Sequence, residues 1–540
     1  LSTDNDVLIA GAGPTGLVLA IELARRGVIP RVVDAGSPDT RESRAVAVVA
    51  RSLEMLDDIG VAEAAVERGL PLRRLSFHQG TTTLADLDLS ALDSPFPMDL
   101  CIPQWRTAGL LRERAEELGV AVEWGTRLAS HQDDGDGVTA ELVHGDGRVE
   151  HHTARWLVGC DGAHSTVRRT AGFGWETADL RRGFILGDVS ADWDLARDRF
   201  HAFFGPGGIV ALFPMVGGHW RILANTPDDN PPADPGLDDY ATYVGRRTPL
   251  DPRLRDLRWS SSFVVREGLA DRFRRGRVLL AGDAAHSHSP VGGQGMNTGM
   301  QDAYNLGWKL ALVAAGRAVP SLLDSFEGER RPVARAVVEA TSTATRVATA
   351  HTLVLRRARQ HALRLLGRSN PAQRRLSNTL GEHLVHYRDS ALVSERWDGS
   401  RPPAWSDGSG AGPRAGEVVR DAYLETRAGT RALRHVYRDP GHHLVLFAAD
   451  VADPAALASW AAAGREAVDG YGQVHVVTRG HLPAEPVDGA MADVRSEAHN
   501  RYGVRRPSLY LVRPDKYVAH RADGTDLTGV RDYFRALAAR

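Results

Sequence analysis

A mixed α/β and α+β protein is the fold class that this sequence predicts. It comprises a nucleotide-type domain assembled from separated pieces, an antiparallel β-rich domain inserted in it, and a small α/β domain at the C-terminal end. Three observations predict this. "VLIAGAGPTGLVLA", near the start, reads as a strand, a glycine-rich turn and a helix. A second strand–loop–helix, "LLAGDAAHSHSPVGGQGMNTGMQDAYNLGWKLA", appears only at residues 279–311. Between them, residues 183–223 form strand-like runs separated by turn residues.

Residues 6–10, "DVLIA", predict a buried strand, and residues 14–26 a helix with Leu17, Leu19, Ala20, Leu23 and Ala24 on its apolar side and Gly27 as its stop. Residues 30–34 predict the next parallel strand, completing a βαβ unit. A hairpin and a buried strand over 155–160 follow, then the runs "GFILGDVSADW", "HAFFGPGGIVALFPM" and "HWRILANT". Residues 320–366 predict helix. Residues 401–417, rich in Pro, Gly and Ser, predict a linker. Beyond it, "HHLVLFAAD", "VHVVTR" and "SLYLVRP" alternate with helices over 453–468 and 528–539. The expected domains are 1–75, 100–180 and 265–400 (discontinuous, with a helical extension), 76–99 and 181–264 (β-rich), and 418–540.

At 540 residues the chain exceeds one compact core. A net charge of -2 argues against a nucleic-acid binder. Lys309 and Lys516 are the only lysines, which excludes chemistry that needs a lysine in the N-terminal half. Cys101 and Cys160 are the only cysteines and form no CxxC pair, so neither a disulfide framework nor a metal site is expected. No secretory signal or membrane-length apolar run is visible, and a cytoplasmic protein is expected. Residues 341–380 carry eight arginines and no acid. Solvated helix faces are the default reading, and docking of an acidic carrier protein is the sharper one.

Gly11, Gly13 and Gly16, with Pro14 and Thr15 between the last two, make a dinucleotide fingerprint in its full strand–turn–helix context. Gly11 permits the tight turn, Gly13 lets a pyrophosphate approach the backbone, and Gly16 permits close helix–strand packing. Asp34 ends the second strand, where an acid bonds ribose hydroxyls. By itself this fits NAD or FAD.

The second glycine-rich segment, "GDAAHSHSPVGGQGMNTGMQDAYNLGWKL", together with "CDGAHSTVRRTAG", "ESRAVAVVARSLEML" and "IPQWRTAGLLRERAEELG", resembles the single-component FAD-dependent aromatic hydroxylases of the para-hydroxybenzoate and phenol hydroxylase type, closest in look to hydroxylases of aromatic polyketides. The likeness spans about residues 5–340, with similar ordering to the end. It implies a discontinuous Rossmann-type FAD-binding domain. Asp283 would bond the ribityl chain, Pro290 to Asn297 (with Gly293, Gly295 and Met296) would lie along the flavin ring as the catalytic loop, and Arg44, Gln104, Asp161 and Gly162 would contact cofactor, with Arg168 nearby. NADPH or NADH would serve as transient co-substrate, O2 as oxidant and a C4a-hydroperoxyflavin as the oxygen donor. The flavin is expected to move between outer and inner positions past Gly292, Gly293 and Gly295.

The β-rich domain is expected to wall a small aromatic substrate with Phe203, Leu212, Phe213, Pro214, Met215 and Trp220. His201 and His219 are weak candidates for a base. Hydroxylation, Baeyer–Villiger insertion and epoxidation stay open, as does a non-catalytic flavin-binding partner protein. "LYLVRPDKYVAHRADG" resembles the thioredoxin-like appendage of this group; with no cysteine after Cys160, packing or homodimerisation is expected of it rather than dithiol chemistry.

Overall fold

The computed structural model describes residues 5–40, 45–227, 230–290, 292–349, 353–398, 412–451 and 453–538. Arg44 and residues 401–411 of the expected linker lie outside them. The chain divides into two compact units. The first runs to Ala24, resumes over Ile29–Tyr304 and ends with Arg330–Leu384; the second takes Arg25–Val28, Asn305–Glu329 and the chain from Val385 on.

In the first unit, "NDVLIA" forms the strand Asn5–Ala10 because Val7, Leu8 and Ile9 can be covered on both faces, and all three are buried. It is central in a parallel array of five strands: Val278–Leu280, Val149–Gly159, Asn5–Ala10, Arg31–Asp34 and Val122–Trp124. The helix Pro14–Ala24 opens on a proline, whose missing N–H costs nothing there, and buries Leu17 to Ile21.

A second sheet in the same unit runs in the order His286–Ser287, Arg255–Ala270, Trp175–Ser190, Trp220–Asn225, Gly208–Pro214, Arg199–Gly205, Arg74–Gln79 and Thr82–Asp88. All neighbours are antiparallel except Arg199–Gly205 beside Arg74–Gln79. Its faces differ. One packs Ile185, Val189, Phe203, Leu212, Trp220 and Ile222 under Tyr240 and Val244 of the helix Leu237–Arg247. The other carries Phe184, Leu186, Ala211, Leu223 and Val265, with half-buried Phe213, Trp259 and Phe263 beside them.

The expected helical extension is three helices, Asp324–Ala348, Leu353–Arg368 and Asn370–Leu380. Of its arginines, Arg346, Arg357, Arg364, Arg368, Arg374 and Arg375 are exposed, whereas Arg359 is buried, donating to the carbonyls of Val347 and Ala348.

In the second unit one sheet runs Ser394–Arg396, Val518–Asp523, Ser508–Val512, His442–Ala449, Gly472–Arg479, Ala490–Asp493, Tyr423–Thr426 and Gly429–Ala432. Residues 412–417, placed in the linker by composition, are packed here: Gly416 donates to Val518 and Val518 to Glu417. Lys309, Glu329, Arg513 and Asp515 form a fully buried ion network. Glu329 accepts from Lys309 (2.7 Å) and from Arg513 (2.6 and 2.8 Å), and Asp515 from Arg513 (2.5 Å).

Candidate functional site

The two glycine-rich turns, 270 residues apart in sequence, touch. Thr15 is the contact: a Cβ at Gly282 or at Gly299 would lie 2.6 Å from its hydroxyl oxygen. Gly11 has φ +104°, and a Cβ there would stand 2.3 Å from the Cys160 carbonyl oxygen; a Cβ at Gly16 would stand 1.9 Å from the Gly11 carbonyl oxygen. These two glycines are required by protein packing. Gly13 differs: among the described residues a Cβ there would meet nothing within 4 Å, so its side of the turn is open to them. Asp34 accepts from the amides of Ala12 and Gly36, both at 2.7 Å, leaving lone pairs on each oxygen.

Asp161 accepts from the amides of Thr166 and Val167 at 2.7 and 3.1 Å, capping the short helix Thr166–Thr170. Its Oδ1 is buried without a partner among the described residues, and Gly162 turns the chain with φ +77°. Arg168 is not the surface group its type suggests. It is buried, stacks on Trp175 at 4.0 Å and donates to the carbonyls of Ala163 (2.7 Å) and Ala284 (2.9 Å). It thereby joins the Asp161 segment to the Asp283 segment. Asp283 itself is exposed.

Behind Asp283 lies an anchor that motif reading missed. Asp302 accepts from Arg330 at 2.7 Å, from His286 at 2.6 Å and from the Gly282 amide at 3.1 Å, all buried. Burial opposes ionisation of Asp302, but Arg330 and His286 outweigh it and hold the carboxyl below its ordinary range. The signal was present in sequence as the acid of "GMQDAYN", whose partners lie too far along the chain to be read from it.

Pro290, Gly293, Gly295 and Met296 are half-buried around the start of the helix Gly295–Ala314. Asn297, expected beside the ring, is fully buried and spends its amide on the backbone: it accepts from Val49 at 3.1 Å and donates to Ala47 and Gly293, both at 2.9 Å. It is a clamp between the strand Ala47–Val48 and the loop. Gln104 plays a similar part, accepting from the Ala45 amide at 3.1 Å.

The expected substrate wall splits between the two sheet faces. Phe203, Leu212 and Trp220 belong to the core beneath the helix Leu237–Arg247. Phe213 and Met215 lie on the other side, among Val46, Leu72, Cys101 and Phe200; Pro214 is buried between them. On the aromatic face sits a buried pair that sequence did not suggest: Arg221 donates to both Asp188 oxygens at 2.7 and 2.8 Å and stacks on Trp259 at 4.7 Å. His201 bonds His78 (3.1 Å) and the Ala196 carbonyl (2.9 Å), and burial lowers its pKa. It is satisfied and not poised as a base. Burial pushes the Cys101 thiol up to about 12 and that of Cys160 higher still, so neither is a nucleophile. Among the described residues no group of three His, Cys, Asp or Glu could hold a metal ion, and no helix is long and apolar enough to cross a membrane.

An open glycine edge, an exposed acid on the second turn and an unsatisfied Asp161 oxygen between them fit a dinucleotide with two separated halves. Residues 4–341 match the family described as FAD binding domain. The chain is 37% identical to 6-methylpretetramide 4-monooxygenase of Streptomyces rimosus, over 98% of this chain and 93% of that one. It is 34% identical to 12-dehydrotetracycline 5-monooxygenase/anhydrotetracycline 6-monooxygenase of the same species, over 98% of each. The solved structure of OxyS anhydrotetracycline hydroxylase from Streptomyces rimosus superposes with a TM-score of 0.76 at 31% identity, over 99% of both chains. The open turn, the contact through Thr15 and these likenesses agree: the chain belongs to the FAD-binding family of aromatic monooxygenases.

Proposed function

We propose that this FAD-dependent aromatic monooxygenase, of the polyketide and antibiotic class, takes electrons from NADPH or NADH and hydroxylates a polycyclic phenolic substrate. The observation that carries the substrate class is the aromatic sheet face: Phe184, Phe213, Trp259 and Phe263 lie on it together, three of them half-buried, in the same unit as the glycine-rich loop. Flat, apolar side chains of this kind suit a fused ring system. Relatives named for tetracycline-type substrates support the same reading.

FAD, when bound, supplies the two-electron and oxygen chemistry. The chain's own residues hold and shield it. Gly13 and the amides that open the helix Pro14–Ala24 would take the pyrophosphate, and Asp34 the ribose. Asp283 would take the ribityl hydroxyls, steadied by Arg168 and Asp302 from behind. The Pro290–Met296 loop would cover the ring, and Asn297 fixes that loop to Ala47. Arg221 and Asp188 supply a charged floor beside Trp259, where a phenolic oxygen can be oriented.

The C-terminal unit supports the thioredoxin-like reading. Four adjacent strands of its sheet, His442–Ala449, Gly472–Arg479, Ser508–Val512 and Val518–Asp523, taken as one to four, lie in the order four–three–one–two, with only the first two parallel.

The test is NADPH oxidation by the yellow holoenzyme with a panel of polycyclic phenols, with products weighed by mass spectrometry. Gain of one oxygen with the ring skeleton retained is the expected result. A ring-opened or lactone product indicates Baeyer–Villiger insertion. Tightly held FAD with no oxidation of either nicotinamide under any substrate overturns the enzyme reading in favour of a flavin-binding partner.

A further inference from the structure

The helix Asn370–Leu380 ends in a turn that glycine ordinarily completes. The His383 amide donates to the Asn378 carbonyl at 2.9 Å, and the Glu382 amide to the Thr379 carbonyl at 3.1 Å. Glu382 holds the left-handed position of this turn, with φ +60°. Glycine adopts that conformation freely, whereas a residue with a Cβ is strained in it. What a glutamate adds here is its side chain.

That side chain is buried where two other helices meet. Glu382 accepts from the Thr298 hydroxyl at 3.3 Å and from the Gln301 side-chain amide, and Gln301 also donates to the Ser52 hydroxyl at 3.3 Å. All four residues are buried. Thr298 and Gln301 stand in the first two turns of Gly295–Ala314, and Ser52 stands on the helix Ala50–Asp58. The turn is tied to that second helix as well: the Arg51 amide donates to the Gly381 carbonyl at 3.2 Å, and His383 bonds Glu54 at 3.0 Å. Asn297 makes a parallel connection, to Ala47 and Val49 just before the same helix. Arg330 takes the Thr298 carbonyl at 3.1 Å.

Without this carboxylate the Thr298 hydroxyl and the Gln301 amide lose an acceptor in the interior, where a missing hydrogen bond is costly. We propose that Glu382 is a positioning residue for the cofactor. Its carboxylate holds the first two turns of Gly295–Ala314 on the helix Ala50–Asp58 and so fixes where Gly295 and Met296 meet the flavin. This rests on the reading of that helix start as part of the flavin site.

Strain and bonding together distinguish this residue from an ordinary core group. A left-handed glutamate persists only where its surroundings compensate for the backbone, and here the compensation runs to the helix whose start adjoins the glycine-rich loop. Burial pushes the Glu382 pKa up to about 7, against the pull of Arg330, Thr298 and Gln301. Variants are therefore compared at pH 8, where the carboxylate form prevails.

The test compares wild type with Glu382→Gln, Glu382→Ala and Glu382→Gly in the full chain. FAD affinity is read from flavin fluorescence, the flavin environment from visible circular dichroism, and stability from melting of the apoprotein. Ala and Gly are expected to hold FAD about tenfold less tightly, the worth of one charge-assisted hydrogen bond, with altered flavin dichroism. Gln, whose carbonyl oxygen still accepts, is expected to stay within about threefold of wild type. Gly relaxes the backbone and is expected to melt above Ala, yet to bind FAD as weakly. FAD binding that recovers along with the melting temperature in Gly shows a merely structural role and overturns the proposal. Wild-type affinity and dichroism in Ala and Gly overturn it, as does Gln binding as weakly as Ala. Where Ala does not fold, Gly and Gln decide; a Gly variant that also fails to fold makes Glu382 a folding residue and overturns the proposal too. A wild type that carries no FAD overturns instead the functional reading on which it stands.

Discussion

Asp283 and Asn297 stand within one motif, yet substitutions at the two should fail differently. The exposed Asp283 carboxylate would bond the cofactor, so Asp283→Ala should leave the apoprotein melting temperature unchanged and weaken FAD binding by about 1.5–3 kcal/mol. Asn297 joins three backbone groups, so Asn297→Ala should destabilise the fold itself by about 1–3 kcal/mol, with FAD lost as a consequence. Thermal melts with and without added FAD separate the two outcomes. Asp99 gives a prediction in pH. Burial, with the Glu382 carboxylate nearby, pushes its pKa up to about 7, against the pull of the Ala50 amide. A carboxyl raised in the folded state costs nothing below its unfolded pKa and destabilises increasingly as pH rises from about 4 to 7. Asp99→Asn should therefore melt higher than wild type at pH 8, by the equivalent of roughly 4 kcal/mol, and nearly alike at pH 4. Equal melting differences at both pH values would show that Asp99 ionises normally.

At the scale of elements, sequence reading did well where one local rule decides. The first strand, the glycine turn and its helix were legible because Gly11 and Gly16 answer close contacts, with Cys160 at the end of the neighbouring strand and with Gly11 itself, while Gly13 faces the open side of the turn. The motif likeness was legible too, since the segments keep their order. The sheet faces were not. Phe203, Leu212 and Trp220 alternate correctly, but alternation gives two faces without saying which one a helix covers, and Leu237–Arg247 covers theirs. Arg221 was invisible for the same reason: its partners Asp188 and Trp259 come from other strands of the sheet. This yields a paired test. Phe203→Ala, cut from a sealed core, should cost about 3–5 kcal/mol of stability and leave substrate preference alone. Phe213→Ala, from the half-buried face, should cost less stability and change which phenols stimulate NADPH oxidation. Melting curves beside a substrate panel decide it; a change of preference in the Phe203 variant would return that residue to the pocket wall.

Across the whole molecule, the buried ion network of the second unit sets the response to truncation. Lys309 and Glu329 come from the middle of the chain and Arg513 and Asp515 from near its end, yet all four are sealed from solvent in one place. Removing Arg513 alone strands Glu329 and Asp515 beside Lys309. Breaking a buried pair in this way typically costs about 3–5 kcal/mol, so Arg513→Met should lower the urea midpoint sharply, and deletion of everything after residue 405 should leave little soluble protein. A soluble, fully flavinylated deletion product would show that the network is dispensable. The helix Gly295–Ala314 carries a further consequence. Its first turns belong to the unit that holds the glycine-rich loop, and from Asn305 onward it belongs to the other. A chimera between relatives that exchanges only the sequence after residue 384 would therefore join the larger part of one enzyme's second unit to the Arg25–Val28 and Asn305–Glu329 pieces of another's. To swap that unit intact, Arg25–Val28 and Asn305–Glu329 must travel with it, and every such graft is cut inside the helix Gly295–Ala314.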